Sequence, residues 1–139
     1  GQLPRGPREL AGIGTDTRAV VAESLFVALR GERFDAHDFL ADAVRDGAAA
    51  LVVDDPVRAA GLGVPVYVVR DTRAALGALA HFRRRAWGGP VIAVGGSNGK
   101  TSTKELLAAM LGGAYRVHAT TGNLNNEVGV PLTLLALPD

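Results

Sequence analysis

One stretch of the chain combines glycine, hydroxyl and lysine residues at a spacing that suits phosphate binding. It runs from Gly95 to Thr103 and has the sequence GGSNGKTST. Glycine can adopt a positive φ, so the glycines at 95, 96 and 99 can turn several backbone N–H groups toward one anion. Lys100 adds a positive charge, and the hydroxyl of Thr101 is placed to join the shell of a Mg²⁺ ion carried by a nucleotide.

The stretch departs from the usual nucleotide phosphate loop at one position, since the pattern G-x-x-x-x-G-K-[ST] needs glycine where this chain has Val94. Its context is still that of a phosphate loop, because residues 91–94 predict a strand before it and residues 104–111 a helix after it. The alternative is an ordinary glycine-rich turn with a solvated lysine. The predicted nucleotide-binding residues are Gly96, Ser97, Asn98, Gly99, Lys100, Thr101 and Ser102. Lys100 is also the predicted catalytic residue, and Thr101 the predicted metal ligand.

The elements that must position this loop form an α/β pattern. Apolar runs predict strands at 24–29, 48–53 and 64–69, and amphipathic segments predict helices at 36–45 and 72–85. Asp35 is suited to cap the first helix, Gly47 to end it, and Asp71 or Thr72 to cap the second. A further short strand is predicted at 115–119.

A cluster of glycine and proline at 88–90 predicts a domain boundary. The expected fold class is therefore α/β: a small α/β substrate-binding domain at 1–87, followed at 88–139 by the start of a P-loop ATPase domain with a parallel sheet. Residues 1–12 contain two prolines and show no hydrophobic periodicity, so they predict only a loose lead-in.

Composition excludes several classes of protein. The net charge of +1 argues against broad electrostatic capture of nucleic acid, and the absence of cysteine excludes disulfides and thiolate chemistry. No apolar run approaches the roughly 20 residues of a membrane span. We therefore expect no membrane insertion, and a protein that uses a nucleoside triphosphate is most simply cytoplasmic.

The phosphate loop and a second polar segment together resemble the Mur ligase family. The second segment, Gly122 to Pro131, has the sequence GNLNNEVGVP. Segments at 16–18, 25–31 and 34–39 are similar to the amino-terminal domain of the same ligases, although the family has glycine where this chain has Ala36. The resemblance covers the chain from about Thr15 onward.

This resemblance implies ATP-dependent amide-bond formation with ATP and Mg²⁺ as cofactors. Within the family, the segment from Asn123 to Pro131 points to the activity that joins D-alanyl-D-alanine to UDP-N-acetylmuramoyl-tripeptide through an acyl phosphate. The resemblance also implies that the chain is the amino-terminal part of such a ligase and is inactive alone. The substrate-binding residues that it implies are Thr15, Asp16, Thr17, Arg18, Arg30, Asn123, Asn125 and Asn126.

Alternatives remain for most of these assignments. Residues 15–18 equally predict an ordinary turn capped by its own side chains, and residues 120–126 a polar linker. His37 is expected to be a surface or capping residue, His118 a structural one, and the acidic pair at 54–55 a cap for a short helix. Other functions are a ligase that adds a diamino acid or lysine, a folylpolyglutamate synthase, or a non-catalytic module that binds a UDP-sugar or nucleotide.

Overall fold

The computed structural model describes residues 9–138, which fall into two units that divide after Ala78. The first unit contains a parallel sheet whose strands lie side by side in chain order. Its strands are β1 (Ile13–Gly14), β2 (Ser24–Val27), β3 (Ala48–Val53) and β4 (Val66–Val68). Every residue of β2 and β3 is buried, as expected for parallel strands covered on both faces.

Helices follow the strands of this unit. They are the 3₁₀ helices Thr17–Ala19 and Ala36–Phe39, then α1 (Leu40–Arg45) and α2 (Thr72–Trp87), whose residues after Ala78 belong to the second unit. The predicted caps are confirmed: Asp35 Oδ1 accepts from the N–H of His37, and Asp71 Oδ1 accepts from two N–H groups at the start of α2. Gly47, with a φ of 114°, follows α1 at the predicted position. The helix predicted at 36–45 is therefore present, but its first turn is 3₁₀.

The core of the first unit lies between β2, β3 and α1. Phe26, Leu51 and Val53 from the strands meet Leu40 and Ala43 from the helix, and all five are buried. α1 is only six residues long, so packing of its apolar face stabilises it more than its own hydrogen bonds do.

The second unit contains α3 (Lys100–Gly112) and α4 (Gly129–Leu135). The helix predicted after the glycine loop is confirmed and ends, as expected, at the glycine pair 112–113. The strands predicted at 91–94 and 115–119 are not formed, because neither segment makes strand pairing with any described residue. A strand exists only with a hydrogen-bonded neighbour. Here Ile92 and Tyr115 are instead exposed.

The α/β class with a parallel sheet is confirmed. The domain boundary at 88–90 stays a prediction. The first eight residues of the predicted lead-in lie outside the described residues. Between residues 9 and 138, no helix is both long and apolar enough to span a bilayer.

Candidate functional site

The glycine loop before α3 has the backbone geometry predicted for a phosphate cradle. Gly96 and Gly99 have φ values of 142° and 75°, a region that other residues rarely adopt. Gly99 is the N-cap of α3 and makes no side-chain cap, so the loop leads directly into the helix N-terminus. The expectation of a positive φ is wrong for Gly95, which lies outside this region. Two glycines therefore shape the turn.

Lys100 begins α3 and folds back over the loop. Its Nζ donates to the carbonyl oxygen of Gly96 at 2.6 Å and lies 3.5 Å from that of Ser97. The ammonium group thus lies beside the backbone that would surround a bound phosphate. The helix dipole favours an anion at the same place.

Thr101 is exposed in the first turn of α3, next to Lys100. The described residues contain no group of three or more His, Asp or Glu that could hold a metal ion. A Mg²⁺ ion bound with a nucleotide needs only one or two protein ligands, because phosphate oxygens and water complete its shell. An exposed hydroxyl beside a phosphate loop fits that requirement.

The polar segment at 120–126 is held to both helices of the second unit. Lys104, one turn after Lys100 on α3, donates from Nζ to the carbonyl oxygen of Thr120 at 2.7 Å. Asn126 Oδ1 accepts from the first N–H groups of α4, at 2.7 Å from Gly129. Asn126 is therefore a helix cap as well as a predicted substrate residue.

Asn123 and Asn125 lie at the exposed part of this segment, with the N–H of Asn125 donating to the carbonyl oxygen of Asn123 at 2.7 Å. His118 contacts the carbonyl oxygen of Thr133 through Nε2 at 3.0 Å. This contact agrees with the structural role expected for His118.

The predicted substrate residues of the first unit begin directly after β1. Asp16 Oδ1 caps the 3₁₀ helix through the N–H of Arg18, and its carboxylate pairs with the Arg18 guanidinium at 2.6 Å. The side-chain hydrogen bond from Arg18, with help from the backbone one, lowers the pKa of Asp16 to about 2. Thr15 and Thr17 flank it. The segment thus has the self-capped turn that was the alternative interpretation, and the substrate contact stays a prediction.

Arg30 lies beyond the carboxyl end of β2, where it meets acidic residues from neighbouring elements. Its Nη2 and Nε donate to Asp54 Oδ1 at 2.8 and 3.0 Å, and its Nη1 lies 3.7 Å from Asp35 Oδ2. Asp54 follows β3, so parallel pairing of β2 with β3 brings it to Arg30. Arg73 donates to the carbonyl oxygen of Arg30 at 3.1 Å. The carboxyl edge of an open parallel sheet is where such folds bind ligands.

Two expectations for this edge are corrected. His37 is neither a surface residue nor only a cap, because its ring is buried between Asp35 and Asp54. Asp54 pairs with Arg30, whereas Asp55 Oδ1 accepts from the N–H of Val57 as a cap would, although the segment that follows forms turns and not a helix. Burial raises the pKa of Asp35, but hydrogen bonds from the backbone and ring of His37 outweigh it and the net shift is downward.

Sequence reasoning missed Asp35, His37 and Asp54 as parts of this site. A signal existed for Asp54, since an acidic residue directly after a buried strand parallel to β2 must lie near Arg30.

Comparison with protein families identifies the class of protein. The model described as "Mur ligase family, catalytic domain" matches residues 9–84, and the "Mur ligase middle domain" matches residues 94–139. The first match alone covers more than half of the chain. The chain belongs to the Mur ligase family.

Two curated relatives with the same name illustrate the similarity. The UDP-N-acetylmuramoyl-tripeptide–D-alanyl-D-alanine ligase of Escherichia coli K12 is 47% identical over 99% of this chain and 30% of its own length. The Bacillus subtilis ligase of that name is 47% identical over 92% of this chain and 28% of its own length. The chain thus spans about 30% of the length of these curated relatives.

Solved structures of MurF are also similar to this chain. A crystal structure of MurF from Acinetobacter baumannii has 43% identity and a TM-score of 0.88, covering 99% of this chain and 29% of that one. MurF from Thermotoga maritima, in complex with ADP, has 34% identity and a TM-score of 0.71, covering 89% of this chain and 28% of that one.

Proposed function

We propose that the chain is part of an ATP-dependent ligase that joins D-alanyl-D-alanine to UDP-N-acetylmuramoyl-tripeptide in peptidoglycan precursor synthesis. The observation that carries this proposal is the 47% identity to the Escherichia coli ligase over 99% of the chain. The geometry of the phosphate loop supports it independently. Because ATP and the UDP-linked tripeptide are nucleotides, we also propose that the reaction takes place in the cytoplasm.

In this reaction the tripeptide carboxylate attacks the γ-phosphorus of ATP and ADP leaves. The amine of D-alanyl-D-alanine then displaces phosphate from the resulting acyl phosphate. Such a transfer depends on positioning and charge neutralisation more than on an enzyme nucleophile. The N–H groups from Ser97 to Thr101 would cradle phosphate oxygens, and Lys100 would move from the Gly96 carbonyl onto them. Thr101 would hold Mg²⁺, which supplies further neutralisation of the phosphates.

The UDP substrate is assigned to three groups of residues. Arg30 offers Nη1 to a diphosphate oxygen, since this nitrogen is beyond hydrogen-bond distance from Asp35. The turn at residues 15–18 lies at the carboxyl edge of the same sheet. Asn123 and Asn125 present exposed amides, which can bond sugar hydroxyls without adding charge. Asn126 completes this group while capping α4. The amino-terminal domain, 1–87, would hold the uridine end and residues 88–139 the ATP end.

A phosphate-release assay tests the function in the longest natural form of the chain. With UDP-muramoyl-tripeptide and ATP, release should require D-alanyl-D-alanine, and mass spectrometry should find the pentapeptide product. Release with UDP-muramoyl-dipeptide plus a diamino acid or lysine would favour the other ligases. Binding of uridine diphosphate without any release would favour a non-catalytic module.

The matched variants are Lys100→Ala and Lys104→Ala. Lys100→Ala should abolish release and leave the fold intact, because its side chain contacts only exposed loop carbonyls. Lys104→Ala removes the other lysine of α3 and should retain turnover, reduced by the loss of its bond to Thr120. Wild-type turnover by Lys100→Ala would contradict the assignment.

A further inference from the structure

His37 makes a tautomer-specific contact at the carboxyl edge of the sheet. Its side chain is fully buried, although it lies in a 3₁₀ turn whose neighbour Asp38 is exposed. Nε2 accepts from the backbone N–H of Asp54 at 3.2 Å, and Nδ1 lies 2.7 Å from Asp35 Oδ1. A ring nitrogen that accepts carries no proton, so the proton is on Nδ1 and is donated to Asp35. Both ring nitrogens therefore have a polar contact.

The residues that His37 holds are the ones that hold Arg30. Asp54 accepts two bonds from the Arg30 guanidinium through one oxygen, Oδ1, and Asp35 faces its Nη1. Arg58 reaches Asp35 from another element at 3.1 Å. One buried ring therefore fixes the segment after β3 and the loop after β2, from which the two carboxylates project.

The position of the ring proton decides whether Asp54 is available to Arg30. Nε2 lies 3.2 Å from Asp54 Oδ1, the same oxygen that binds the guanidinium. A proton on Nε2 would point at the hydrogen of the Asp54 N–H, which is repulsive. It could also be donated to Asp54 Oδ1, the oxygen that accepts from Arg30. With the proton on Nδ1, the ring donates nothing to Asp54 Oδ1, which then accepts its side-chain hydrogen bonds from Arg30.

We propose that His37 is a positioning residue for the UDP substrate, acting through Asp35 and Asp54 on Arg30. The proposal rests on the proposed function, in which Arg30 contacts the diphosphate. His37 itself is buried behind the two carboxylates and does not touch the ligand. Its effect is to keep the guanidinium oriented before the ligand arrives, which reduces the ordering cost of binding.

Three substitutions separate the two ring contacts. His37→Asn can keep the donor to Asp35, His37→Gln can keep the acceptor for the Asp54 N–H, and His37→Leu keeps neither. Leu40→Val is the control, because it weakens the core beside the same turn without touching the charged groups. The longest natural form of the chain is titrated with uridine diphosphate by calorimetry, at a temperature below each variant's melting temperature. Long-range ¹H–¹⁵N NMR reports the ring tautomer and the Arg30 Nε–H signal without ligand.

We expect the ring proton of the wild type on Nδ1 and a shifted Arg30 Nε–H signal in His37→Leu. Uridine diphosphate should bind roughly tenfold more weakly to His37→Leu, less weakly to the Asn and Gln variants, and unchanged to Leu40→Val. Equal affinity for wild type and His37→Leu, or a doubly protonated ring, would overturn the positioning role alone. An affinity loss in Leu40→Val equal to that in His37→Leu would reduce the role to fold stability. No binding by wild type would reject the assignment of Arg30 and the positioning role with it.

Discussion

Gly99 should be essential to the phosphate loop for a backbone reason alone. It has φ 75° and ψ 4°, the left-handed helical region, and a Cβ added there would meet no atom within 4 Å. The cost of Gly99→Ala is therefore conformational strain and not a clash. For an L-residue this strain is roughly 1–2 kcal/mol.

The strain must appear in one of two measurements. If the variant keeps the turn, its free energy of unfolding falls by that amount. If the loop relaxes to a negative φ, the unliganded protein keeps its stability and the nucleotide must restore the turn on binding. The affinity for ADP should then fall by a factor of about 5–30. The loss in the free energy of unfolding and the loss in the free energy of ADP binding should add up to the full strain energy.

Calorimetric titration with ADP and chemical denaturation of the longest natural form measure both quantities. Gly95→Ala is the matched control, because Gly95 lies in the same loop with ordinary φ and open space around it. Gly99→Asn should fall between wild type and Gly99→Ala, since Asn tolerates the left-handed region better. Unchanged affinity and stability in Gly99→Ala, or equal losses in Gly95→Ala, would refute this account.

Three further changes test the first unit. Phe26→Ala should lower the free energy of unfolding by about 3–5 kcal/mol, because the ring is fully buried, and denaturant unfolding with Phe26→Leu as a milder control measures it. Asp71→Ala should lower the free energy of unfolding by about 1 kcal/mol, because it removes two capping hydrogen bonds from α2. An unchanged free energy of unfolding would contradict this stabilising role of the cap. The carboxyl group of Asp16 should titrate by NMR at about pH 2, and in Arg18→Met its pKa should rise toward the ordinary value. Because the folded-state pKa is lowered, its small contribution to stability is present above the ordinary pKa and lost as pH falls through about 2.

The elements of the first unit were predictable where their signals are local. The caps at Asp35 and Asp71 and the stop at Gly47 depend on a few neighbouring residues, and the apolar run of β3 has the predicted bounds, Ala48–Val53. β1 was missed because a strand of two residues is too short to show an alternating hydrophobic pattern. It is defined by its pairing with β2, which is a tertiary contact. The strands expected at 91–94 and 115–119 failed for the converse reason: an apolar run specifies a strand only when a partner strand is present.

The two candidate sites, one in each unit, differ in the same way. At the phosphate loop the binding groups are backbone N–H groups, and two glycines with positive φ and a following helix are sufficient to orient them. All of this lies within a few consecutive residues, so the sequence predicts both the site and its ligand class. At the sheet edge the proposed ligand-binding charge is that of Arg30, whose guanidinium is held by Asp54, 24 residues away along the chain, and faces Asp35.

These residues meet only because β2 and β3 are parallel and end at the same edge, so no local pattern marks them as a group. It follows that substitutions far from the phosphate loop should leave phosphate binding largely intact. By contrast, a change in the register between β2 and β3 would move Asp54 away from Arg30 and leave His37 with a buried, unpaired nitrogen. The proposed uridine-nucleotide site therefore depends on correct folding of the first unit, whereas the phosphate loop depends on one turn.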